Sequence, residues 1–337
     1  MKVVVTGGAG FIGFHLACHH AARADQVVLL DNLFKAQGAP DPELQALLTR
    51  PGVRLIRQDL TEPLRGIEEA LDSADVVYHL AAINGTQLFY DIPYQVARTN
   101  CLATLTLLDA LTRHPPKRLL YSSSSEVYAG AEPLGLLRIP TDERIPVVFA
   151  QPTEPRFSYG TSKFMGEVLC QAFARQLRVP CTVVRYHNIY GPRMGTRHVI
   201  PEFIERVLRR EDPFDLFGGH ETRAFCYVDD AVEATVRVAE APARDEQLVH
   251  VGNPHEEIRI VDLARLVMEL MGAHAELRER GSRSGSVSRR CPDITRLKAL
   301  TGFEPAVNLR EGLARTVAWY ANAPDAMPAG RGAGSRA

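Results

Sequence analysis

Tyr159 and Lys163 stand four residues apart in Tyr159-Gly160-Thr161-Ser162-Lys163, which puts a phenol and an ammonium on one face of a helix. A tyrosine with a pKa of about 10 is a poor base at neutral pH. A lysine one turn away, together with a positively charged nicotinamide ring, favours the phenolate. Near the start, Gly8-Ala9-Gly10-Phe11-Ile12-Gly13 satisfies G-x-G-x-x-G, and Gly7, Gly10 and Gly13 satisfy the related G-x-x-G-x-x-G. The motif follows the apolar run Val3-Val4-Val5-Thr6 and opens a helical stretch, the context in which backbone N–H groups and a helix N-terminus cradle a pyrophosphate. Asp31 ends the next apolar run, where a carboxylate accepts hydrogen bonds from an adenosine ribose and repels a 2′-phosphate. With Asn32 after it and no arginine in 31–34, NAD is expected rather than NADP. A glycine loop and a tuned tyrosine together imply reversible hydride transfer at an alcohol.

Positioning these groups requires a sheet. Val3 to Thr6, Val27 to Asp31, Arg54 to Arg57, Val76 to Leu80, Arg118 to Ser122 and Thr182 to Tyr186 read as buried parallel strands. Amphipathic stretches such as Thr99 to Arg113 alternate with them, so the fold class is α/β, a doubly wound Rossmann-type sheet. Asp59-Leu60 and His79-Leu80-Ala81-Ala82 fall at strand ends, where cofactors sit; Asp59 is expected at the adenine edge, and Leu60, Leu80, Ala81, Ala82 and Asn100 along the cofactor. His79, on an apolar strand, reads as structural. Ala129 to Ser158 is a proline-rich excursion expected to rim the active site. The chain divides into a NAD-binding domain over 1–192, re-entered from about 220–255, and a smaller mixed α/β substrate lobe over 193–322. The tail 323–337 is expected to be disordered.

Composition excludes several classes. A net charge of −1 from 39 basic and 40 acidic side chains gives no field for nucleic acid or anionic lipid, and no apolar run is long enough to span a bilayer. A glycine loop beginning at Gly7 leaves no room for a signal peptide. Six scattered cysteines without a C-x-x-C pair suit reduced thiols in the cytoplasm. His15, Cys18 and His19 have metal-like spacing but no third or fourth partner is signalled, so no metal is expected.

Taken in order, TGGAGFIG at 6–13, DNL at 31–33, HLAA at 79–82, SSSSEVY at 122–128, YGTSK at 159–163, RYHNIYGPR at 185–193, GGHETRAFCYVDDAVEA at 218–234 and RRCPDI at 289–294 resemble the extended short-chain dehydrogenase/reductase superfamily. Within it the chain is similar to the NAD-dependent nucleotide-sugar epimerase/dehydratase family, to about Tyr320. The resemblance implies that Tyr159 takes the substrate hydroxyl proton, that Lys163 holds the nicotinamide ribose and lowers the tyrosine pKa, and that Ser124 hydrogen-bonds the reacting oxygen. It implies a substrate contact at Asn188 and diphosphate contacts at Arg193, Arg223 and Arg290, whose planar forks suit phosphate oxygens. It also implies a homodimer through a four-helix bundle that includes Thr99 to Arg113 and Tyr159 to Arg175.

In this family C4 of the sugar is oxidised to a ketone, and neighbouring groups then select the product. Glucose-type dehydratases carry an Asp-Glu pair; this chain has Ser125-Glu126, similar to mannose-type 4,6-dehydratases and UDP-glucuronate decarboxylases. Glu126 is then a base for C5, or a structural group holding backbone amides. Pro155-Arg156-Phe157-Ser158-Tyr159 and Val251-Gly252-Asn253-Pro254 resemble the bacterial UDP-glucuronate decarboxylases, in which Arg290 matches an arginine near the uronate carboxylate. The expected activity is a UDP-sugar epimerase/dehydratase working through a 4-keto intermediate. Against it stand a reductase of a non-sugar ketone and a non-catalytic nucleotide-binding subunit.

Overall fold

Buried on both faces, the apolar runs pair into a seven-stranded parallel sheet. A computed structural model describes residues 1–322 apart from 36–37, 65, 243–245 and 283–285; the tail lies outside the described residues. Strands β1 (Lys2–Thr6), β2 (Gln26–Asp31), β3 (Val53–Arg57), β4 (Val76–His79), β5 (Leu119–Ser124) and β6 (Cys181–Tyr186) are joined by a seventh, Glu246–Val251. The spatial order is Glu246–Val251, β6, β5, β4, β1, β2, β3. Order therefore reverses between β1 and β4, which opens a crevice at the carboxyl ends of these strands where a dinucleotide binds.

Alternate residues of one strand serve opposite cores. Val3 and Val5 pack with Leu16 of helix α1 (Phe11–Ala22) and with Val232 and Val236 of helix Val228–Glu240. Val4 packs on the other face with Leu107, Leu111 and Phe173. Helices α2 (Pro42–Leu48), α3 (Glu68–Leu71) and α4 (Thr86–Asp91) are short, whereas α5 (Pro93–Arg113) and α6 (Phe157–Leu177) run for 21 residues each. Alpha6 carries Tyr159 and Lys163 and packs against α5 and β5.

Leu248 to Val251 lies in the stretch expected to re-enter the NAD-binding domain, and in the large sheet Leu248 pairs with Val183 of β6. The lobe itself holds helices Val199–Leu208, Ile260–Leu270, Thr295–Thr301 and Leu309–Asn322. It also holds a three-stranded sheet of Glu257–Arg259, Thr222–Ala224 and Arg289–Arg290.

Candidate active site

Beta1 delivers the glycine loop to the crevice. Gly7 has φ +68°, and a Cβ there would lie 2.9 Å from the Ala81 backbone; at Gly13 it would lie 2.2 Å from the Gly7 carbonyl oxygen. Only glycine permits this approach. Alpha1 begins at Phe11 after Gly10, with no side-chain cap, so its first amides, those of Phe11 and Ile12 included, are left for an anion. Asp31 accepts from Ala9 N at 3.0 Å and Leu33 N at 2.8 Å, tying the acidic strand end to the glycine loop. Asn32 donates to Asp59 at 3.0 Å, and Thr61 donates to Asp59 through both its amide and its hydroxyl. These carboxylates, the uncapped helix and the close backbone at Leu80, Ala81 and Ala82 fit the pyrophosphate and adenosine of NAD.

Asn100 on α5 and Leu60 after β3 are both buried. Asn100 is 2% exposed, accepts from Ile83 N at 2.8 Å and donates to the Ile83 carbonyl and Ser162 Oγ. It braces the loop after β4 against α6 and leaves no amide hydrogen or face for a ligand. The Leu60 side chain lies in the apolar core, so only its backbone can meet a cofactor. His79 is structural as read: Thr6 and Thr104 hydroxyls flank its ring at 2.7 and 3.0 Å. Burial, with the Lys163 charge behind it, pushes its pKa down to about 3.

The catalytic half forms where α6 crosses the end of β5. Ser124 caps the turn Ser125–Tyr128 by accepting from Glu126 N at 3.2 Å, and its hydroxyl hydrogen-bonds Tyr159. Phe89 of α4 stacks on Tyr159 at 4.5 Å between ring centres. Lys163 donates to the Ser122 carbonyl at 2.7 Å and stands 5.9 Å from the centre of the Tyr159 ring. Burial, with the Glu126 charge adding to it, pushes the Tyr159 hydroxyl well up, and Ser124 opposes this only in part. Burial also pushes Lys163 down to about 8.

Glu126 occupies neither of its two expected roles. Its carboxylate lies between Arg156, which donates Nε and Nη2 at 3.1 Å each, and Arg290, which donates Nη1 at 2.5 Å. These guanidiniums outweigh the desolvation penalty and hold the carboxyl far below the usual range. A carboxylate so clamped is a poor base, and it holds guanidiniums rather than backbone amides.

Arg290 is the register partner of Arg223 across a parallel strand pair, which is how residues far apart in sequence meet. Arg223 pairs with Glu221 at 2.7 Å; burial, then the Arg290 charge, lowers its pKa to about 10. Asn188, with φ 45°, donates to the Ala224 carbonyl at 3.0 Å and so stands beside the Arg223 strand. Arg193 departs from expectation. It lies over the Phe14 ring of α1 and pairs at 2.7 Å with both Asp41 and Glu43. Three N–H groups of its terminal nitrogens go to these two carboxylates, which fastens α2 to the chain after β6.

Sequence reading missed three contributors. Arg156 entered the sequence analysis as a member of the Pro155-Arg156-Phe157-Ser158-Tyr159 phrase, with no role assigned to its side chain. Arg185 and Glu167 form a buried bidentate pair at 2.7 and 2.6 Å, with Ser123 donating to Glu167 at 2.5 Å. Lys35, on the loop after β2, contributes positive charge that both Lys163 and His198 feel.

Residues 3–252 match the model of the NAD dependent epimerase/dehydratase family. The chain is 31% identical to UDP-N-acetyl-alpha-D-glucosaminuronate decarboxylase of Bacillus cytotoxicus, over 95% of this chain and 97% of that one. It is 35% identical to UDP-glucuronic acid decarboxylase 5 of Arabidopsis thaliana, over 93% and 87%. Among solved structures, UDP-glucuronic acid 4-epimerase from Bacillus cereus, in complex with UDP-glucuronic acid and NAD, superposes with a TM-score of 0.83 at 28% identity, covering 96% of this chain and 99% of that one. With this breadth of match, and with the cradle and Tyr/Lys helix in place, the chain belongs to the NAD-dependent epimerase/dehydratase family and is an enzyme that uses NAD.

Proposed function

We propose that the protein is a UDP-uronate decarboxylase, acting on UDP-glucuronate or its 2-acetamido analogue. One observation carries this reading: Arg156 and Arg290 converge on the single carboxylate of Glu126, beside Ser124 and Tyr159. Two guanidiniums against one carboxylate leave an enclosed positive charge that a C6 carboxylate neutralises and a neutral hexose does not. Arg223, the register partner of Arg290, and Asn188 beside its strand are the residues read as holding the diphosphate.

In this reading Tyr159 would accept the proton of the C4 hydroxyl, and bound NAD would supply the oxidant for C4 and later the reductant. Lys163 supplies positive charge beneath the tyrosine. The resulting 4-ketone is β to the C6 carboxylate, so the C5–C6 bond breaks with its electrons passing into the C4 enolate. Ser124 and the protonated Tyr159 hydrogen-bond that oxygen as charge gathers on it. CO2 would depart, C5 would take a proton from solvent water, and Tyr159 would return its proton to the oxygen as C4 is reduced again. Dehydration and C5 epimerisation need a base at C5. The clamped Glu126 argues against both.

A second reading, a UDP-uronate 4-epimerase, has the same carboxylate site in its favour, and the likeness to the Bacillus cereus structure. Incubation with UDP-glucuronate and UDP-N-acetylglucosaminuronate, followed by product mass, separates them. Loss of CO2 supports the decarboxylase; unchanged mass with inverted C4 selects the epimerase; turnover of neither overturns both. The chain is further read as a homodimer joined through α5 and α6. Its cysteines, all free, support a cytoplasmic setting, and no helix among the described residues is long and apolar enough to cross a membrane.

A further inference from the structure

We infer that His187 positions Arg290 through one buried water molecule, so that a histidine outside the reacting centre sets the attitude of the arginine that faces the substrate. His187 directly follows β6 and is 2% exposed. Neither of its ring nitrogens has a hydrogen-bond partner among the described residues, and neither does Arg290 Nη2. These orphaned atoms belong to residues that line one small cavity, shared with Ser125, Thr141 and Leu137. Its volume is about 10 Å³, the room that a single water needs, and its polar lining offers the two or more partners that keep such a water in place.

The chemistry of the two side chains is complementary. Burial, with the positive charges of Arg290 and Arg185 adding to it, keeps the imidazole neutral, so one ring nitrogen is an acceptor. The water accepts from Arg290 Nη2–H and donates to that nitrogen. Arg290 is then held on two sides, by Glu126 through Nη1 and by the water through Nη2. The histidine cannot swing aside, because its ring packs on His250 at 4.5 Å between centres. His250 in turn is fixed by Tyr128 Oη at 2.8 Å and the Thr141 carbonyl at 3.1 Å.

The excursion over 129–158 closes this chamber. Thr141 N donates to the Cys291 carbonyl at 2.8 Å, and Asp293 N donates to the Thr141 carbonyl at 2.7 Å. Ser288 donates its amide to Glu132 at 2.8 Å. The excursion thus grips the chain on both sides of Arg290 and supplies Thr141 and Leu137 to the cavity lining.

The consequence for catalysis rests on the uronate reading; the water does not. A crystal structure of the protein with NAD is expected to show an ordered water within hydrogen-bond distance of both a His187 ring nitrogen and Arg290 Nη2; a dry cavity overturns the inference whether or not UDP-glucuronate is turned over. In kinetics, His187→Phe fills the space without an acceptor and should raise KM for UDP-glucuronate about tenfold, with inhibition by UDP unchanged. His187→Gln, which keeps an acceptor, should recover most of that loss. Equal KM values in wild type and His187→Phe, or no rescue by Gln, contradict it. Failure of wild type to decarboxylate removes the uronate reading alone, and the crystallographic result then decides for the water.

Discussion

At Tyr159 two charges of opposite sign compete. The Lys163 ammonium is held by Ser122, while the Glu126 carboxylate raises the phenol pKa through space. Replacing Glu126 by Gln removes the raising charge and frees two guanidiniums, so the Tyr159 pKa should fall. The rise of kcat/KM with pH that reports Tyr159 ionisation should then move to lower pH in Glu126→Gln; a limb that stays put shows that Glu126 does not act on the tyrosine. Tyr159→Phe should lower kcat by about 10²- to 10⁴-fold, the range of a lost general base, with NAD affinity little changed by calorimetry. Glu126 also links pH to stability. Its folded pKa is depressed, so its contribution is complete above the unfolded value of about 4.3 and is lost as pH falls below that. Urea unfolding of wild type should therefore weaken more steeply from pH 5 to pH 3 than that of Glu126→Gln.

Alpha6 is the element that places the chemistry, and a buried ion pair decides where it lies. Glu167 and Arg185 are 8% and 4% exposed and meet bidentately across α6 and β6, with the Tyr128 hydroxyl accepting from the same arginine. Glu167→Ala leaves an uncompensated buried guanidinium and should cost about 3–5 kcal/mol in urea denaturation; a loss under 1 kcal/mol would show that the pair is not what docks the helix. This pair also marks where sequence reading stops. Beta1, the glycine loop and the Tyr159/Lys163 helix were legible because their signals are local: an apolar run, a glycine spacing, a four-residue repeat. Arg156, Arg185 and His187 were not, because each acquires its meaning from a residue brought close by tertiary packing. Arg193 misled for the same reason, since Asp41 and Glu43, about 150 positions away, determine what its guanidinium does.

At the scale of the whole molecule, the inner face of α6 carries the catalytic pair while its outer face is apolar and open. Met165 and Val168 are 49% and 48% exposed, one turn apart, and Leu105 of the adjoining α5 is 41% exposed. Large apolar side chains clustered on two packed helices mark an interaction surface more than scattered ones do. A second copy of the same surface, related by a two-fold axis, would cover it with four helices. Light scattering should then give the mass of two chains for wild type and of one chain for the Met165→Glu, Val168→Glu double variant. Both changes lie on the outer face, so the variant should still bind NAD; its melting temperature should drop, because the buried area that braces α6 from outside is gone. A wild type that runs as one chain at micromolar concentration removes the dimer and leaves these three side chains as isolated exposed residues.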